Sequence, residues 1–322
     1  MNEDLSRLRD PNTGQALKTV GTELISPTGE KFPIIEGIPR FVASEAYASD
    51  FGKQWKLFPK TQLDSFTGKP ITRDRLERCF NGQLQEVRGK KLLEAGSGAG
   101  RFTEILLAEG AQLDSFDIST AVEANARNNG HRAFTLVQAD IRAIPFERKS
   151  YDYVVCLGVI QHTPDSEQSI GKLWDMVRPG GLLVIDHYDW NRWRLPPPIG
   201  DAGKIYRQVV LRMKPEKRWA AVKKIVDFWF PHYWRFRENP IMRRLLPRVG
   251  GINFYYPGLP VDTRQAHYEW SLLDTHDALT DHYKRFRTVG SIRKTLQALG
   301  ATDIVVRQGG NGIEASARKP VK

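Results

Sequence analysis

The chain has 322 residues, a formal net charge of +11 and only 2 cysteines. This length suits one large domain with an appendage. Two cysteines cannot supply a disulfide framework or a four-cysteine metal site, which predicts a reducing, cytoplasmic setting. The first ten residues lack the apolar core of a signal peptide. The sequence contains no run of about 18 apolar residues, so no membrane-spanning helix is predicted.

The excess positive charge lies in one segment. Residues 190–250 contain 15 Lys or Arg against 4 Asp or Glu, together with five of the eight tryptophans, so the remainder is neutral overall. Three interpretations stay open: a lid whose basic side is solvated, a contact with the inner face of a membrane, and a contact with nucleic acid. Nucleic acid is disfavoured because no recognition module is visible.

Two predicted regions precede the main alternation of strands and helices. Residues 1–45 form a β-rich extension, because 8–42 read as short strands separated by turns. Residues 46–88 read as a mostly helical cap with aromatic and basic positions. Arg73 and Arg75 in this cap are candidates to hold a ligand carboxylate through a charge-assisted bond.

Residues 89–189 alternate strands with helices. The predicted strands are 91–95, 112–117, 133–138, 151–157 and 182–187, and the predicted helices are 101–109 and 120–128. Such alternation is typical of parallel strands with right-handed crossovers, whose ligands lie beyond the carboxyl ends of the strands. The first strand runs into three alternate glycines, Gly96, Gly98 and Gly100. Glycine permits positive φ and lets a ligand approach the main chain.

The glycine pattern excludes two common nucleotide motifs. The dinucleotide fingerprint fails because Arg101 stands three places after Gly98, which disfavours NAD-linked oxidoreduction. A P-loop fails because no Gly-Lys-Ser/Thr follows. The remaining pattern, Glu-x-Gly-x-Gly-x-Gly from Glu94, resembles motif I of the class I S-adenosylmethionine-dependent methyltransferases. The phrases at 151–165 and 178–181 resemble the strand-four motif of that family and its turn before strand five.

The resemblance implies a fold and a cofactor. The fold is a Rossmann-like, seven-stranded α/β sheet; the cofactor is S-adenosylmethionine, converted to S-adenosylhomocysteine, and no metal is expected. Asp117 would accept hydrogen bonds from the ribose hydroxyls, Asp140 would face the adenine amino group, and Ile141 would pack on the ring. The other residues implied at the cofactor are Glu94, Gly96, Ser97, Gly98, Gly100, Ile118, Leu157 and Arg73.

A second resemblance concerns the N-terminal extension. Residues 32–39 resemble the end of the small zinc-ribbon-like domain that precedes many methyltransferases, in which paired cysteines hold the metal. Because no cysteine precedes Cys79, we interpret residues 1–45 as a degenerate, metal-free version of that domain.

The last helix and the last two strands of the sheet are separated from the fifth strand by a long insert. Residues 286–322 predict a closing helix at 289–299 and strands at 302–308 and 312–319, so 190–285 form a mainly helical insert. Its predicted helices are 204–213 and 218–230. Insertions at this point cover the active site in relatives and select the substrate. The candidate acceptor-binding residues are Tyr188, Tyr255, Tyr256, Asp274 and His276.

Methyl transfer depends mainly on alignment, and a general base helps only a poor nucleophile. His162 follows the fourth predicted strand and His187 ends the fifth, and either could accept a proton near neutral pH. His187 is preferred because it adjoins the insert. The hypothesis is a methyltransferase acting on O, N or C of a small-molecule, glycan-precursor or secondary-metabolite acceptor, anionic or lipid-linked. The alternatives are non-methyl chemistry with the same cofactor (decarboxylation, cyclisation, elimination) and a non-catalytic binding protein of this fold.

Overall fold

The computed structural model describes residues 5–42, 52, 54–55, 57–190 and 201–321. Parts of the predicted helical cap, at 46–51, 53 and 56, lie outside the described residues. So does the start of the predicted insert, at 191–200.

The N-terminal extension is a small antiparallel sheet. Its strands, in spatial order, are β1 (Lys18–Val20), β2 (Glu23–Ile25), β3 (Lys31–Ile35) and β4 (Ile38–Pro39). Leu24 and Phe32 are paired across β2 and β3 and are buried in the same hydrophobic cluster as the central sheet. The predicted β-rich extension is therefore confirmed, while its descent from a zinc ribbon stays a prediction. In the described residues, no His, Cys, Asp and Glu side chains cluster as metal ligands.

The central sheet has seven strands in the order β10-β11-β9-β8-β5-β6-β7. They are β5 (Lys91–Ala95), β6 (Gln112–Asp117), β7 (Thr135–Gln138), β8 (Tyr151–Cys156), β9 (Val177–His187), β10 (Thr302–Gly309) and β11 (Gly312–Arg318). Strands β5 to β9 pair in parallel, and β11 pairs antiparallel with β9 and β10. The predicted Rossmann-like seven-stranded fold is confirmed.

Helices cover the sheet and fill the insert. They are α1 (Asp64–Thr67), α2 (Ile71–Cys79), α3 (Arg101–Ala108), α4 (Ala121–Asn129), α5 (Ser166–Met176), α6 (Gly203–Leu211), α7 (Pro215–Arg235), α8 (Pro240–Leu245), α9 (Arg264–Thr280) and α10 (Val289–Ala298). Short 3-10 helices run over Leu84–Val87, Ile160–His162 and Leu246–Arg248.

Side chains of each central strand alternate between the two faces of the sheet, and each face has its own hydrophobic core. In β5, Leu92 packs in a cluster with residues of α2, α3 and α4, whereas Leu93 packs in a cluster with residues of α5 and α10. Successive residues of a strand point to opposite faces. The parallel strands are thus buried on both sides, as is typical of a parallel sheet with helices on both faces.

The insert has a hydrophobic core of its own. Val222, Val226 and Phe230 are spaced four apart on α7 and are fully or nearly fully buried against Leu272 and Leu279 of α9. Spacing of four places side chains on one helix face. The insert is therefore mainly helical, as the sequence predicts.

Several features differ from the sequence-based expectation, namely the start of β9 and the helices α5, α8 and α9, which the sequence analysis does not predict. Strand β9 begins at Val177 rather than 182, because Tyr151 pairs with Val177 and the register then shifts so that Tyr153 pairs with Leu182. Helix α5 was not predicted. Its start is marked by Asp165, whose carboxylate accepts hydrogen bonds from the backbone N–H groups of Glu167 and Gln168 in a normal N-cap.

Candidate functional site

A cavity of about 630 Å³ lies at the carboxyl ends of the parallel strands, between the cap residues 54–78 and the insert residues 253–277. Its size suits a small-molecule ligand. The wall brings together most of the predicted residues, namely Gly96, Ser97, Gly98, Asp117, Ile118, Ile141, Leu157, His162, Tyr188, Tyr255 and Asp274.

The glycine turn after β5 forms one side of the cavity. Gly96 and Gly98 have φ angles of +81° and +52°, which residues other than glycine rarely adopt. A Cβ on Gly96 would lie 2.2 Å from a methyl group of Val159, and one on Gly98 would lie 3.3 Å from the Trp55 ring. The turn therefore needs glycine, and its bare backbone borders the cavity.

Asp117, at the end of β6, is held rigidly. Its Oδ2 accepts a hydrogen bond from the Gly98 N–H at 2.9 Å, and its Oδ1 accepts from the N–H and the hydroxyl of Ser119 at 2.9 and 2.7 Å. Burial raises the pKa of this carboxyl. Oδ2 can accept a further bond, so Asp117 fits the ribose-binding role that the resemblance implies. Ile118 and Ile141 offer apolar surface beside it.

Glu94 lies beneath the glycine turn and not in the cavity wall. Its Oε2 accepts hydrogen bonds from the hydroxyls of Thr103 at 2.6 Å and Ser115 at 2.8 Å, and the Thr103 hydroxyl accepts from Asn125 at 2.9 Å. Burial raises the pKa of Glu94 to about 7. This glutamate ties β5 to α3 and β6, which holds the turn in place.

The raised pKa of Glu94 predicts a pH-dependent stability. The folded state binds this proton more tightly than the unfolded state, so the stabilisation is complete below the ordinary pKa near 4.5 and is lost as pH rises through 7. The variant Glu94→Gln lacks this loss. Between pH 4.5 and 8, wild type should lose about 3 kcal/mol of unfolding free energy relative to the variant. Urea unfolding at both pH values measures this; Glu216→Gln, on the exposed surface, is the control, and parallel curves would contradict the prediction.

Three further residues implied at the cofactor lie elsewhere. Gly100 is the N-cap of α3, where a Cβ would lie 2.2 Å from the side-chain oxygen of Asn125. The carboxylate of Asp140 accepts hydrogen bonds at 2.6 to 3.1 Å from Arg142. Arg73 forms an ion pair with Glu109. The structure does not bring these three residues to the cavity wall.

Three other arginines, Arg75, Arg78 and Arg101, line the cavity, and Arg78 is paired with Glu314. Arg75 forms an ion pair with the buried Asp186, which also accepts a hydrogen bond at 2.6 Å from the Gly158 N–H. Arg101 donates at 2.6 Å to the amide oxygen of Gln62. Burial, with the charge of Arg75, lowers the pKa of Arg101 to about 10. The guanidinium groups of Arg75 and Arg101 are better placed than that of Arg73 to bind the carboxylate of a cofactor.

His162 lies in the wall at the end of β8. Its Nδ1 is 3.3 Å from the carboxylate of Asp281, which also pairs with Arg207 and Lys284. Burial lowers the pKa of His162, but the carboxylates of Asp277 and Asp281 outweigh it, so the pKa is raised overall. Asp277 also lines the cavity. His162 therefore combines a position in the cavity with carboxylates that stabilise its protonated form.

His187 is placed differently from the expectation. It is 1% exposed and does not line the cavity; its Nε2 is 3.0 Å from the Ser166 hydroxyl. Burial lowers its pKa. Because side chains alternate along β9, Asp186 points towards Arg75 and His187 points to α5 on the opposite face. The structure thus favours His162 over His187 as the candidate base.

Three of the five predicted acceptor residues line the cavity, and two do not. Tyr188, Tyr255 and Asp274 line the cavity; Asp274 accepts a hydrogen bond at 3.2 Å from Gln62, and burial raises its pKa to about 6. Tyr256 lies outside the wall, with its hydroxyl bonded to Glu238. His276 is also outside, with Nδ1 2.9 Å from Gln54, so it anchors α9 to the cap.

The cavity contains residues that the sequence analysis did not select. Gln161 is fully buried and lines the wall, and within the described chain neither atom of its amide has a hydrogen-bond partner. Asp277 and Trp270 also line the wall. The spacing of three between Asp274 and Asp277 could have signalled a shared helix face; the sequence carries no such signal for Gln161.

Comparison with known proteins agrees with this geometry. Residues 93–185 match the family described as "Methyltransferase domain". The ubiquinone biosynthesis O-methyltransferase of Pseudomonas putida is 33% identical over 111 residues, which are 33% of this chain and 47% of that protein. The Coxiella burnetii protein of the same name is 26% identical over 108 residues, covering 33% and 46%. The chain thus spans about half the length of the curated relatives it matches.

Two solved structures show weaker overall similarity. An S-adenosylmethionine-dependent methyltransferase from Mesorhizobium loti is 17% identical with a TM-score of 0.42, over 78% of this chain and 96% of that one. Human N-acetylserotonin methyltransferase in complex with SAM is 15% identical with a TM-score of 0.45, over 85% and 57%. The sequence match lies within the seven-stranded sheet, so residues 93–185 form a methyltransferase domain.

Proposed function

We propose that this protein transfers a methyl group from S-adenosylmethionine to a small acceptor held between the strand ends and the insert. The observation that carries the proposal is the pairing of Asp117 with the Gly98 N–H, which presents a fixed carboxylate beside bare backbone in a cavity of suitable size. Bound S-adenosylmethionine would supply an electrophilic methyl group. Asp117, Ile118, Ile141 and the turn at 96–98 would hold it, and Arg75 or Arg101 would meet its carboxylate.

The acceptor would occupy the part of the cavity bounded by the insert. Tyr255, Trp270 and Asp274 supply apolar surface and hydrogen-bonding groups there, which suits a small molecule, a glycan precursor or a secondary metabolite. We propose that His162 receives the proton of an O or N nucleophile, since it lies in the wall and has carboxylates beside it. A C nucleophile and a lipid-linked acceptor stay within the proposal; a lipid-linked acceptor would require work at a membrane surface.

Calorimetry with S-adenosylmethionine and S-adenosylhomocysteine tests the cofactor, and a panel of phenolic, amine, sugar and polyprenyl-linked acceptors tests the reaction. Formation of S-adenosylhomocysteine together with a product heavier by one methylene unit supports the proposal. Binding with consumption of the cofactor but no S-adenosylhomocysteine would favour decarboxylation, cyclisation or elimination chemistry. Binding without turnover of any acceptor would favour a non-catalytic protein, and absence of binding would reject the proposal.

A further inference from the structure

The surface of the insert has an unusual composition. Of the 14 large apolar side chains that are exposed in the described residues, 7 lie in 190–250, which is about one-fifth of the chain. Phe228 is 62% exposed and Ile241 is 67% exposed. The insert core does not need these side chains, because Val222, Val226 and Phe230 already face it. Their exposure therefore indicates a contact with something outside the chain.

Two of these exposed residues belong to one region. The Tyr206 hydroxyl donates to the Val249 carbonyl at 3.3 Å and accepts from the Trp229 indole N–H at 3.0 Å. The ring centroid of Phe228 lies 5.1 Å from that of Trp229, and Val249 takes part through its carbonyl. The exposed residues Phe228 and Val249 therefore lie close to Tyr206, where α6, α7 and the turn after α8 meet.

Exposed basic residues accompany the apolar ones on each helix. Arg212 stands three residues after the exposed Val209 on α6, and Lys224 stands four before Phe228 on α7. In and after α8, the exposed Arg244 and Arg248 follow the exposed Ile241 and Leu245 by three residues each. Residues spaced by three or four share a helix face. Large apolar side chains and cations therefore lie together, in the segment that carries all of the excess positive charge.

We propose that this face of the insert, formed by Ile205, Val209, Phe228, Ile241, Leu245, Val249 and the flanking arginines and lysines, docks on the surface of an anionic lipid membrane. The cations would meet acidic headgroups, and the apolar side chains would enter the boundary with the acyl chains. Nucleic acid fits less well, because phosphate contacts gain nothing from exposed isoleucine, leucine and valine. The proposed contact is with the membrane surface; in the described part of the chain, no helix has the length and hydropathy to cross a bilayer.

Co-sedimentation with vesicles tests the proposal on the full chain. Wild type should bind phosphatidylcholine vesicles containing one-quarter phosphatidylglycerol and should bind pure phosphatidylcholine poorly. Phe228→Ser with Ile241→Ser should weaken binding by at least about tenfold, since two large apolar side chains no longer insert. Lys224→Gln with Arg244→Gln and Arg248→Gln should weaken it on the order of a hundredfold at low salt.

Matched controls separate insertion from general effects. Phe66→Ser removes an equally exposed phenylalanine outside the insert, and Lys18→Gln with Lys90→Gln and Arg127→Gln removes three exposed charges elsewhere. Both should bind vesicles as wild type does, and melting temperature with S-adenosylmethionine calorimetry should verify that every variant is folded. Equal binding to neutral and anionic vesicles would overturn the proposal. So would anionic binding that survives Phe228→Ser with Ile241→Ser, or preferential binding of RNA that these substitutions do not change.

Discussion

Replacing Asp117 with alanine should weaken S-adenosylmethionine binding by about a hundredfold, equivalent to about 3 kcal/mol. The carboxylate is held by Gly98 and Ser119 before any ligand arrives, so no ordering cost offsets its hydrogen bonds to the ribose. Isothermal titration calorimetry with S-adenosylmethionine and S-adenosylhomocysteine measures the effect, which should be similar for both because they share the adenosyl group.

The comparison variant for Asp117 is Asp140→Asn. The carboxylate of Asp140 is bound by Arg142 and lies outside the cavity wall, so its replacement should change the affinity by less than about fivefold. Thermal unfolding should show that both variants are folded. An affinity of Asp117→Ala equal to that of wild type would reject the cofactor site that we assign, whatever the activity.

Replacing His162 with alanine should lower kcat by roughly a hundredfold or more for an acceptor with an O or N nucleophile, while the affinity for S-adenosylmethionine changes by less than about threefold. The loss is expected because His162 lies in the cavity and can take a proton there. The acceptor panel supplies the substrate, and calorimetry supplies the binding control. His187→Ala is the matched variant; unchanged kcat in His162→Ala with reduced kcat in His187→Ala would reverse the assignment.

The pH profile gives an independent test of His162. A base must be neutral, so activity should rise with pH through the pKa of His162, which lies above 6.5 because Asp277 and Asp281 outweigh the effect of burial. Replacing Asp277 with asparagine removes one of these charges, so the acid limb of kcat/KM should move to lower pH. A purely structural role for Asp277 would lower the rate without moving the limb.

The local sequence was sufficient to predict the central sheet. Three local features were enough: short apolar strands that alternate with helices, the glycine turn after Glu94, and the acid at the end of the second strand. Each depends on neighbours within a few residues, so its position follows from short-range rules. The turn at 96–98 and Asp117 meet at the cavity for the same reason, since parallel strands place their carboxyl ends at one edge.

The choice between His162 and His187, and between Arg73 and Arg75, was decided only by the tertiary structure. Both histidines lie at or after the end of a parallel strand, but the face of β9 turns His187 towards α5. The two arginines are two residues apart, but α2 places Arg75 beside Asp186 while Arg73 pairs with Glu109. Packing between elements distant in sequence sets these outcomes. The chain alone determined which chemistry is available; the assembled sheet, cap and insert decided which side chains reach the cavity, because reach depends on contacts that no local pattern records.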